Sequence, residues 1–381
     1  MLFCGNDLLN KIMATTVEEA KKTETSESRR NELLLDSLEI KGYRCFEHLT
    51  IEKLGRVNLI VGKNNVGKTA LLEALWIYAE GGDPFRLAQI SYFRDERPDA
   101  PKRIAPKTAL QVAADVIYNQ LNDLQYQREN LEYPRHLFYN RPNEDKTPVE
   151  FEIGIRFPED KDPSAVYEDK VVVSLTFEPE TSLFGLSSNR NDTLINRFIR
   201  SNGLTPSLMS EFWDEISLTL LEDSVVESLK IIFSSIQRIS FIGFPKGAKN
   251  RIAVVRVAGI SEPIPLSSLG EGMNRLLGIA LTLANCQNGI LLIDEIEIGL
   301  HYSVLPDVWK LIFKTARDLN VQVFATTHSY DCIEAFAQAA IEDEESDGNL
   351  IRLENKNGAI KAVTFSEDEL ETVTRRNIEV R

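Results

Sequence analysis

The sequence has few cysteines and no long run of apolar residues. Its four cysteines are scattered, without a CxxC pair, which argues against a zinc site and against a disulfide framework. No stretch of about 18 apolar residues occurs, and the longest apolar runs, such as Ile290 to Ile293, have the length of a strand. These absences argue against a membrane-spanning protein, and the reduced cysteines favour a cytoplasmic one.

Positive charge is also scarce. With 43 basic and 58 acidic residues the net charge is −15, so the surface as a whole is not expected to attract nucleic acid. Two basic segments, Arg97 to Lys107 and Lys246 to Arg256, leave a local contact with a phosphate backbone open. We prefer to interpret them as an ordinary linker and a solvated hairpin.

The amino terminus lacks the features of a secretion signal. Residues 1–12 are mildly apolar, but no basic segment precedes them and no small-residue cleavage site follows. Residues 13–31 are polar and charged without periodicity, which is typical of disorder. We therefore predict a disordered tail over residues 1–34, and Met13 is an alternative start.

The remainder has the composition of a folded protein, with 43% hydrophobic and 27% charged residues. Short apolar runs predict strands at Leu38 to Tyr43, Leu49 to Ile51 and Val57 to Val61. A helical pattern follows from Thr69 to Glu80 and ends at two glycines. We assign residues 35–90 to the first part of an α/β domain.

Residues 91–235 differ in texture, and we predict that they form an inserted α+β subdomain. A helical stretch is indicated at Ala109 to Glu132. A strand pair follows around Val149 to Phe157 and Lys170 to Phe177. Another helical stretch then leads from Thr193 to Ile232.

Residues 236–381 are predicted to complete the α/β domain. Apolar runs predict strands at Ile239 to Phe244, Ile252 to Val257, Ile290 to Ile293 and Gln322 to Ala325. Helical patterns separate them, so the fold class is α/β with a mixed or parallel sheet. Near the end, Asn357-Gly358 between two apolar runs predicts a β-hairpin.

The most specific motif is Gly62-Lys63-Asn64-Asn65-Val66-Gly67-Lys68-Thr69, which matches GxxxxGK[ST] between a strand and a helix. In such a loop the backbone N–H groups surround phosphates, the lysine reaches the β- and γ-phosphates, and the hydroxyl binds Mg²⁺. The residues expected to bind ATP are Gly62, Asn64, Asn65, Val66, Gly67, Lys68, Thr69 and Ala70. A GTPase is disfavoured because no NKxD motif occurs.

A second motif is the apolar strand Ile290 to Ile293, which ends in Asp294-Glu295. Beside a phosphate loop, Asp294 is placed to hold Mg²⁺ together with Thr69. Glu295 is then the candidate that orients and deprotonates the attacking water. Without the phosphate loop, the two acids would be an ordinary solvated strand end.

A third motif is Leu266 to Gly272, a serine- and glycine-rich turn before an apolar helix from Met273 to Ala284. Taken alone it is only a good helix start. Its position between the phosphate loop and the acidic strand instead favours an anion site that includes Ser268, Gly270 and Gly272.

A fourth motif is Thr326-Thr327-His328-Ser329, which follows the strand after the acidic pair. A lone histidine at a strand end is usually an ordinary surface residue. Here His328 stands where a sensor of the γ-phosphate is needed, so we predict that role.

These segments, in this order, resemble the ATPase heads of the ABC superfamily, specifically those of SMC, RecF and OLD-like proteins. The resemblance extends to the opening segment Ile40 to Phe46, and it covers residues 37–80 and 263–331. It implies that Gly62 to Thr69 is Walker A, Leu266 to Gly272 the signature motif and Asp294-Glu295 Walker B. Glu297 to Leu300 is then the D-loop and His328 the switch histidine. Leu269 departs from the glycine of common signatures, and no Q-loop glutamine can be assigned.

The resemblance implies a Mg²⁺-dependent ATPase that forms a homodimer or higher homo-oligomer around ATP. An effector such as a TOPRIM nuclease, in antiviral defence, would then be a separate chain, because only about fifty residues follow His328. The acidic run Glu342 to Asp347 is interpreted as a solvated loop. One alternative is a DNA-repair or recombination head that binds DNA directly. An ATP-sensing module with little turnover is another, and a transporter ATPase fits least.

Overall fold

The structure is a computed structural model that describes residues 33–94, 136–139, 149–155, 170–177, 182–188, 193–243, 251–343, 345–365 and 369. From Leu35 onward the chain forms one compact unit. Nearly all of the predicted tail 1–34 lies outside the described residues. The same holds for the predicted helix at 109–132 and for residues 97–107 and 246–250 of the two basic segments.

Seven α-helices and fourteen strands lie within the described residues. The helices are α1 (Lys68–Ala79), α2 (Pro84–Phe93), α3 (Pro206–Ile216), α4 (Leu220–Leu229), α5 (Glu271–Ala284), α6 (Leu305–Asp318) and α7 (Tyr330–Glu342). The strands of the first half are β1 (Leu38–Tyr43), β2 (Phe46–Ile51), β3 (Val57–Val61), β4 (Val149–Gly154), β5 (Lys170–Phe177), β6 (Ser182–Ser188) and β7 (Asn196–Ile199). Those of the second half are β8 (Ile236–Gly243), β9 (Arg251–Val257), β10 (Ile264–Pro265), β11 (Ile290–Ile293), β12 (Gln322–Thr326), β13 (Gly348–Lys356) and β14 (Ala359–Phe365). Among these described helices, none is both long and apolar enough to span a membrane.

The central sheet has six strands in the order β14-β13-β3-β12-β11-β7. All neighbouring pairs are parallel except β13 and β14. Every residue of β3, β11 and β12 is buried, as expected for parallel strands that helices cover on both faces. Helix α1 is buried on nearly all sides, so it lies within the core rather than on its surface. The predicted α/β fold with a mixed sheet is confirmed.

A second sheet consists of five antiparallel strands in the order β2-β1-β4-β5-β6. The predicted strand pair of the insertion, β4 and β5, extends the β1-β2 hairpin through the pairing of Ile40 with Ile153. Tyr43, Phe138 and Phe151 pack their rings together beneath this sheet at centroid distances of 5.1 to 5.2 Å. The strands of the insertion therefore share a sheet with the opening hairpin.

The prediction of a helical stretch from Thr193 to Ile232 is wrong at its start. Residues Asn196–Ile199 form β7, which pairs in parallel with β11 at the edge of the central sheet. Pairing with β11 decides the conformation here, since four residues are too few to show a period in the sequence. The two helices α3 and α4 follow as predicted. The boundaries of the insertion remain predictions, but the chain contributes a strand to the central sheet before residue 235.

The strands β8 and β9 do not join the central sheet, contrary to our prediction of one parallel sheet. They form a separate antiparallel sheet in the order β10-β9-β8. Only residues 244–250 separate β8 from β9, and a parallel connection needs a crossover of a dozen or more residues.

The predicted hairpin near the end is confirmed as β13 and β14. Asn357 and Gly358 both have positive φ, 56° and 92°, which suits the two-residue turns that match the twist of a hairpin. The side-chain oxygen of Asn355 accepts a hydrogen bond from the Gly358 N–H at 2.9 Å. This hairpin places β13 next to β3, the strand that leads into the phosphate loop.

Candidate nucleotide site

Four parallel strands of the central sheet end at the same edge, where ligands of α/β sheets bind. The phosphate loop follows β3, and Asp294-Glu295 follow β11. Thr327 and His328 follow β12, and Arg200 follows β7. The first three segments were predicted to meet here. The fourth, after β7, was missed because the strand itself was not recognised.

The backbone of the phosphate loop requires its glycines. Gly62 and Gly67 have φ values of 143° and 93°, and a Cβ at Gly62 would collide with the carbonyl oxygen of Leu353. A Cβ at Gly67 would lie 2.5 Å from the Cys45 sulfur. Asn65 also has positive φ, at 64°. Helix α1 begins directly after Gly67, so its first N–H groups point into the loop and are available to an anion.

Lys68 is 6% exposed and is held by the loop itself. Its Nζ donates to the carbonyl oxygens of Gly62 at 2.7 Å and Lys63 at 3.1 Å, and it lies 3.3 Å from His328 Nδ1. Burial lowers the pKa of Lys68, while the carboxylates of Asp294, Glu295 and Glu297 oppose that shift. The side chain is therefore a desolvated cation that faces the acids of the next strand ends.

Two oxygen groups converge at the positions predicted to bind the metal. Thr69 Oγ1 lies 3.2 and 3.3 Å from the two carboxylate oxygens of Asp294. Thr326 Oγ1 donates to Asp294 Oδ1 at 2.7 Å and so fixes that carboxylate. No cluster of three or more His, Cys, Asp or Glu that could hold a metal occurs among the described residues. The pair fits Mg²⁺, which is usually held by one or two protein oxygens together with substrate phosphates and water.

Glu295 adopts an unusual backbone conformation, with φ of 49°. Left-handed backbone costs roughly 1–2 kcal/mol for a residue with a Cβ, so it persists only where neighbours hold it. The Glu295 N–H donates to Thr326 Oγ1 at 2.9 Å. The turn aims the Glu295 side chain, which is 35% exposed, into the cleft beside Lys68. There Oε1 lies 3.8 Å from His328 Nε2.

The carboxylate of Glu297 fixes the position of His328. Glu297 Oε1 accepts a hydrogen bond from the His328 backbone N–H at 2.8 Å. The imidazole then stands between Lys68 and Glu295, as the distances to both side chains show. The resemblance assigns Glu297 only to the D-loop, without a task for its side chain.

These residues line one cleft of about 750 Å³. Its lining includes the predicted residues Asn64, Asn65, Gly67, Lys68, Thr69, Ala70, Glu295 and His328. Gly62, Val66 and Asp294 lie just behind this lining, as parts of the loop and the strand end. The lining also includes residues that were not predicted, namely Arg44, Cys45, Arg94, His136 and Phe138. These residues form a wall of the cleft that carries positive charge and an aromatic ring.

A buried carboxylate on α1 organises that wall. Glu73 is 1% exposed, and its two oxygens lie 3.0 Å from Arg44 Nε and 2.8 Å from Arg94 Nε. Such a buried acid is stable only when it is paired, so it keeps both guanidinium groups at the cleft. The sequence held one signal of this arrangement, because Glu73 is a single acid within the apolar helix ALLEALWIY.

The segment with Ser268, Gly270 and Gly272 lies apart from this cleft. Residues Leu266–Leu269 form a 3₁₀ turn, and α5 starts at Glu271. Ser268 and Gly270 are exposed, and none of the three predicted residues is among those that line the cleft. A Cβ at Gly272 would lie 2.7 Å from the Gly299 carbonyl oxygen, so α5 starts against the turn that follows Asp294-Glu295. Their contact with a phosphate stays a prediction.

Comparison with known families places this arrangement among AAA domains. Residues 57–332 match the family described as "AAA domain, putative AbiEii toxin, Type IV TA system". The match begins at β3 and ends within α7, so it contains the phosphate loop, α5, the acidic strand end and His328.

Similar proteins include an "ATP/GTP phosphatase" of Helicobacter pylori, which is 25% identical over 346 residues that cover 82% of this chain and 90% of that protein. A shorter stretch of 59 residues is 37% identical to the DNA replication and repair protein RecF of Thioalkalivibrio sulfidiphilus, covering 16% of each chain. Among solved structures, the Smc head domain of Pyrococcus furiosus aligns with a TM-score of 0.49 and 13% identity, covering 90% of this chain and 99% of that one.

Proposed function

The chain belongs to the AAA domain family that its residues 57–332 match, and on that premise we propose that it hydrolyses ATP with Mg²⁺ as a dimer closed around the nucleotide. One observation carries the proposal. Lys68, Thr69 and Asp294 meet Glu295 and His328 at one edge of the sheet, although the sequence separates them by up to 260 residues. The similarity to an ATP/GTP phosphatase over 82% of the chain supports the same activity.

Each residue then has a task in phosphoryl transfer to water. The N–H groups of the loop and Lys68 bind the phosphates and offset the charge that develops on them. Thr69 and Asp294 would hold Mg²⁺, which would neutralise further charge on the phosphates. Glu295 accepts a proton from the attacking water. The oxygen of that water bonds to the γ-phosphorus while the bond between this phosphorus and the bridging oxygen of ADP breaks. His328, held by Glu297, donates toward the γ-phosphate.

We further propose that a second copy completes the site. Ser268 and Gly270 are exposed at the start of α5 and do not line the cleft of their own chain, which supports their contact with a nucleotide in another subunit. A head-to-tail homodimer, or a higher homo-oligomer built from it, would contain two such composite sites. Closing and opening of that dimer would regulate a partner effector in the cytoplasm, such as a TOPRIM nuclease in antiviral defence. The resemblance to OLD-like proteins supports this last part.

The ATPase activity is tested by phosphate release from ATP with the purified full chain, with and without Mg²⁺. Turnover that requires Mg²⁺ and depends on Lys68 is the expected result. Absence of turnover in the parent, with ATP bound, would instead favour a module that only senses ATP.

One observation favours direct binding of DNA as a second function. Arg238 and Arg256 are exposed and stand opposite each other on neighbouring strands β8 and β9. Like charges in that position repel, and an anionic partner such as a phosphate backbone would relieve the repulsion. Duplex binding that weakens steeply with salt and is lost in Arg238→Gln would support this function.

A further inference from the structure

Arg275 is a charged residue among the buried, mostly apolar side chains of α5. It lies on α5, one turn after the exposed segment with Ser268 and Gly270, and it is 7% exposed. A buried guanidinium is costly unless its N–H groups find acceptors. Burial lowers the pKa of Arg275, which the carboxylates of Glu297, Asp294 and Glu295 oppose.

The acceptors of Arg275 are backbone carbonyls at the catalytic edge of the sheet. Its Nη2 donates to the carbonyl oxygens of Asp294 at 2.9 Å and Glu295 at 2.8 Å. Its Nη1 donates to the carbonyl oxygen of Arg200, the residue after β7, at 2.8 Å. One planar group therefore joins α5, the end of β7 and the turn that carries both acids.

The two carbonyls that share Nη2 flank the strained residue of the site. Glu295 has left-handed backbone, and its N–H is already held by Thr326 Oγ1. The bonds from Arg275 hold the Asp294 carbonyl, which belongs to the same peptide unit as that N–H, and the Glu295 carbonyl of the next unit. Together these contacts hold the left-handed backbone of Glu295, and this backbone conformation points the side chain into the cleft.

We propose that Arg275 is the positioning residue for Glu295, and that it transmits contact at the exposed start of α5 to this carboxylate. The proposal rests on the proposed ATPase function. A ligand or second subunit that shifts the first turn of α5 would move Arg275, and the Glu295 carboxylate would move with it. A lysine could not replace it fully, because a single ammonium group lacks the planar fork that reaches three carbonyls.

The test compares Arg275→Met and Arg275→Lys with Arg251→Met in the full chain. Arg251 is a matched control, because it too donates to a backbone carbonyl, that of Phe241, but in the separate β8-β9 sheet. We expect Arg275→Met to lower kcat by about 100-fold while the Kd for a fluorescent ATP analogue stays within about threefold of the parent. The kcat of Arg275→Lys should lie between those of Arg275→Met and the parent. Arg251→Met should keep the parental kcat.

A second measurement separates positioning from loss of structure. In a Glu295→Gln background, Arg275→Met should reduce the remaining single-turnover rate no further, because residues that act as one unit are not additive. The proposal is overturned if Arg275→Met keeps the parental kcat, weakens ATP binding as much as turnover, or multiplies the Glu295→Gln defect. If Arg275→Met does not fold, Arg275→Lys decides by the same criteria. Turnover by the parent and its loss in Glu295→Gln show separately whether the ATPase function holds.

Discussion

The two regions predicted to contact ATP differ in what surrounds them. The phosphate loop lies in a cleft with Lys68 6% exposed, and Glu295 and His328 from two other strand ends face it. The segment with Ser268 and Gly270 is exposed, and a Cβ at Gly270 would meet nothing within 4 Å. The phosphate-loop region is therefore assembled within one chain, whereas the proposed dimer would bring the exposed segment to a nucleotide held by another chain. Variants in the phosphate-loop region should change ATP binding by a single chain. Variants in the exposed segment should change only the dimerisation and turnover that need two chains.

Lys68→Ala should have the largest effect, because it removes the buried lysine that is expected to bind the phosphates. We expect loss of most Mg·ATP binding and a fall in turnover of at least about 100-fold. Binding of a fluorescent ATP analogue and phosphate release would measure the two effects. Near-parental turnover would show that the cleft is not the site.

Glu295→Gln should have the next largest effect, and it should slow hydrolysis without preventing ATP binding. The amide cannot accept the proton of water, so kcat should fall by about 10²–10⁴-fold while ATP still binds. Because Asp294 and Thr69 remain, we also expect an ATP-bound dimer to accumulate on sizing chromatography. Turnover as fast as that of the parent would mean that another group is the base.

Ser268→Arg tests the exposed region. A bulky cation there should prevent ATP-dependent dimerisation and lower turnover by about two orders of magnitude. Binding of ATP by the separate chain should stay unchanged, since Lys68 and Thr69 are untouched. Sizing chromatography in the presence of ATP measures dimerisation, and titration with a fluorescent ATP analogue measures binding.

Mixing Ser268→Arg with Lys68→Ala chains sharpens the contrast between the regions. The heterodimer contains one site with both motifs intact and one with both damaged, so part of the activity should return. Neither variant should be active alone. If Ser268→Arg dimerises and turns over normally, the segment is only a helix cap and the ABC-type assignment of this head fails.

Gly270→Ala should have the smallest effect on the isolated chain. Gly270 has φ of 103° and ψ of 164°, a conformation essentially confined to glycine, and it has open space around it. Only backbone strain, roughly 1–3 kcal/mol, should therefore lower the stability. Gly67→Ala is the matched change in the cleft, where the Cβ would meet Cys45 and should disrupt the loop. Thermal unfolding and ATP binding of the two variants would compare the regions directly. Equal losses of ATP binding would contradict the contrast.

The sequence located the segments that lie together at the sheet edge where adjacent residues form a motif. The phosphate loop and Asp294-Glu295 are consecutive residues whose pattern contains their flanking strands, so both could be located directly from the order of residues. The arrangement of Arg44, Glu73 and Arg94 could not, because pairing in the fold brings these residues together. The contacts of Arg275 could not be predicted either, because its acceptors are backbone carbonyls, and the pattern of side chains does not indicate where these lie.

Strand pairing shows the same limit. The buried strands β3, β11 and β12 were predictable from their continuous apolar runs. The short strand β7 was not, because pairing with β11 and not its composition makes it a strand. Strands β8 and β9 were assigned to one parallel sheet from the order of their apolar runs, whereas the short connection between them makes them a separate antiparallel pair.

The neighbours of β3 have a consequence for how the protein is made. This strand, at residues 57–61, lies between β12 and β13, which begin at residues 322 and 348. A ribosome that adds about 5–20 residues per second must therefore work for more than about ten further seconds before either flank of the strand exists. Until then this buried strand of the nucleotide site lacks both of its neighbours and is exposed to misassociation. Nucleotide can bind only after nearly the whole chain has emerged, so ATP can stabilise the finished fold but not its early stages.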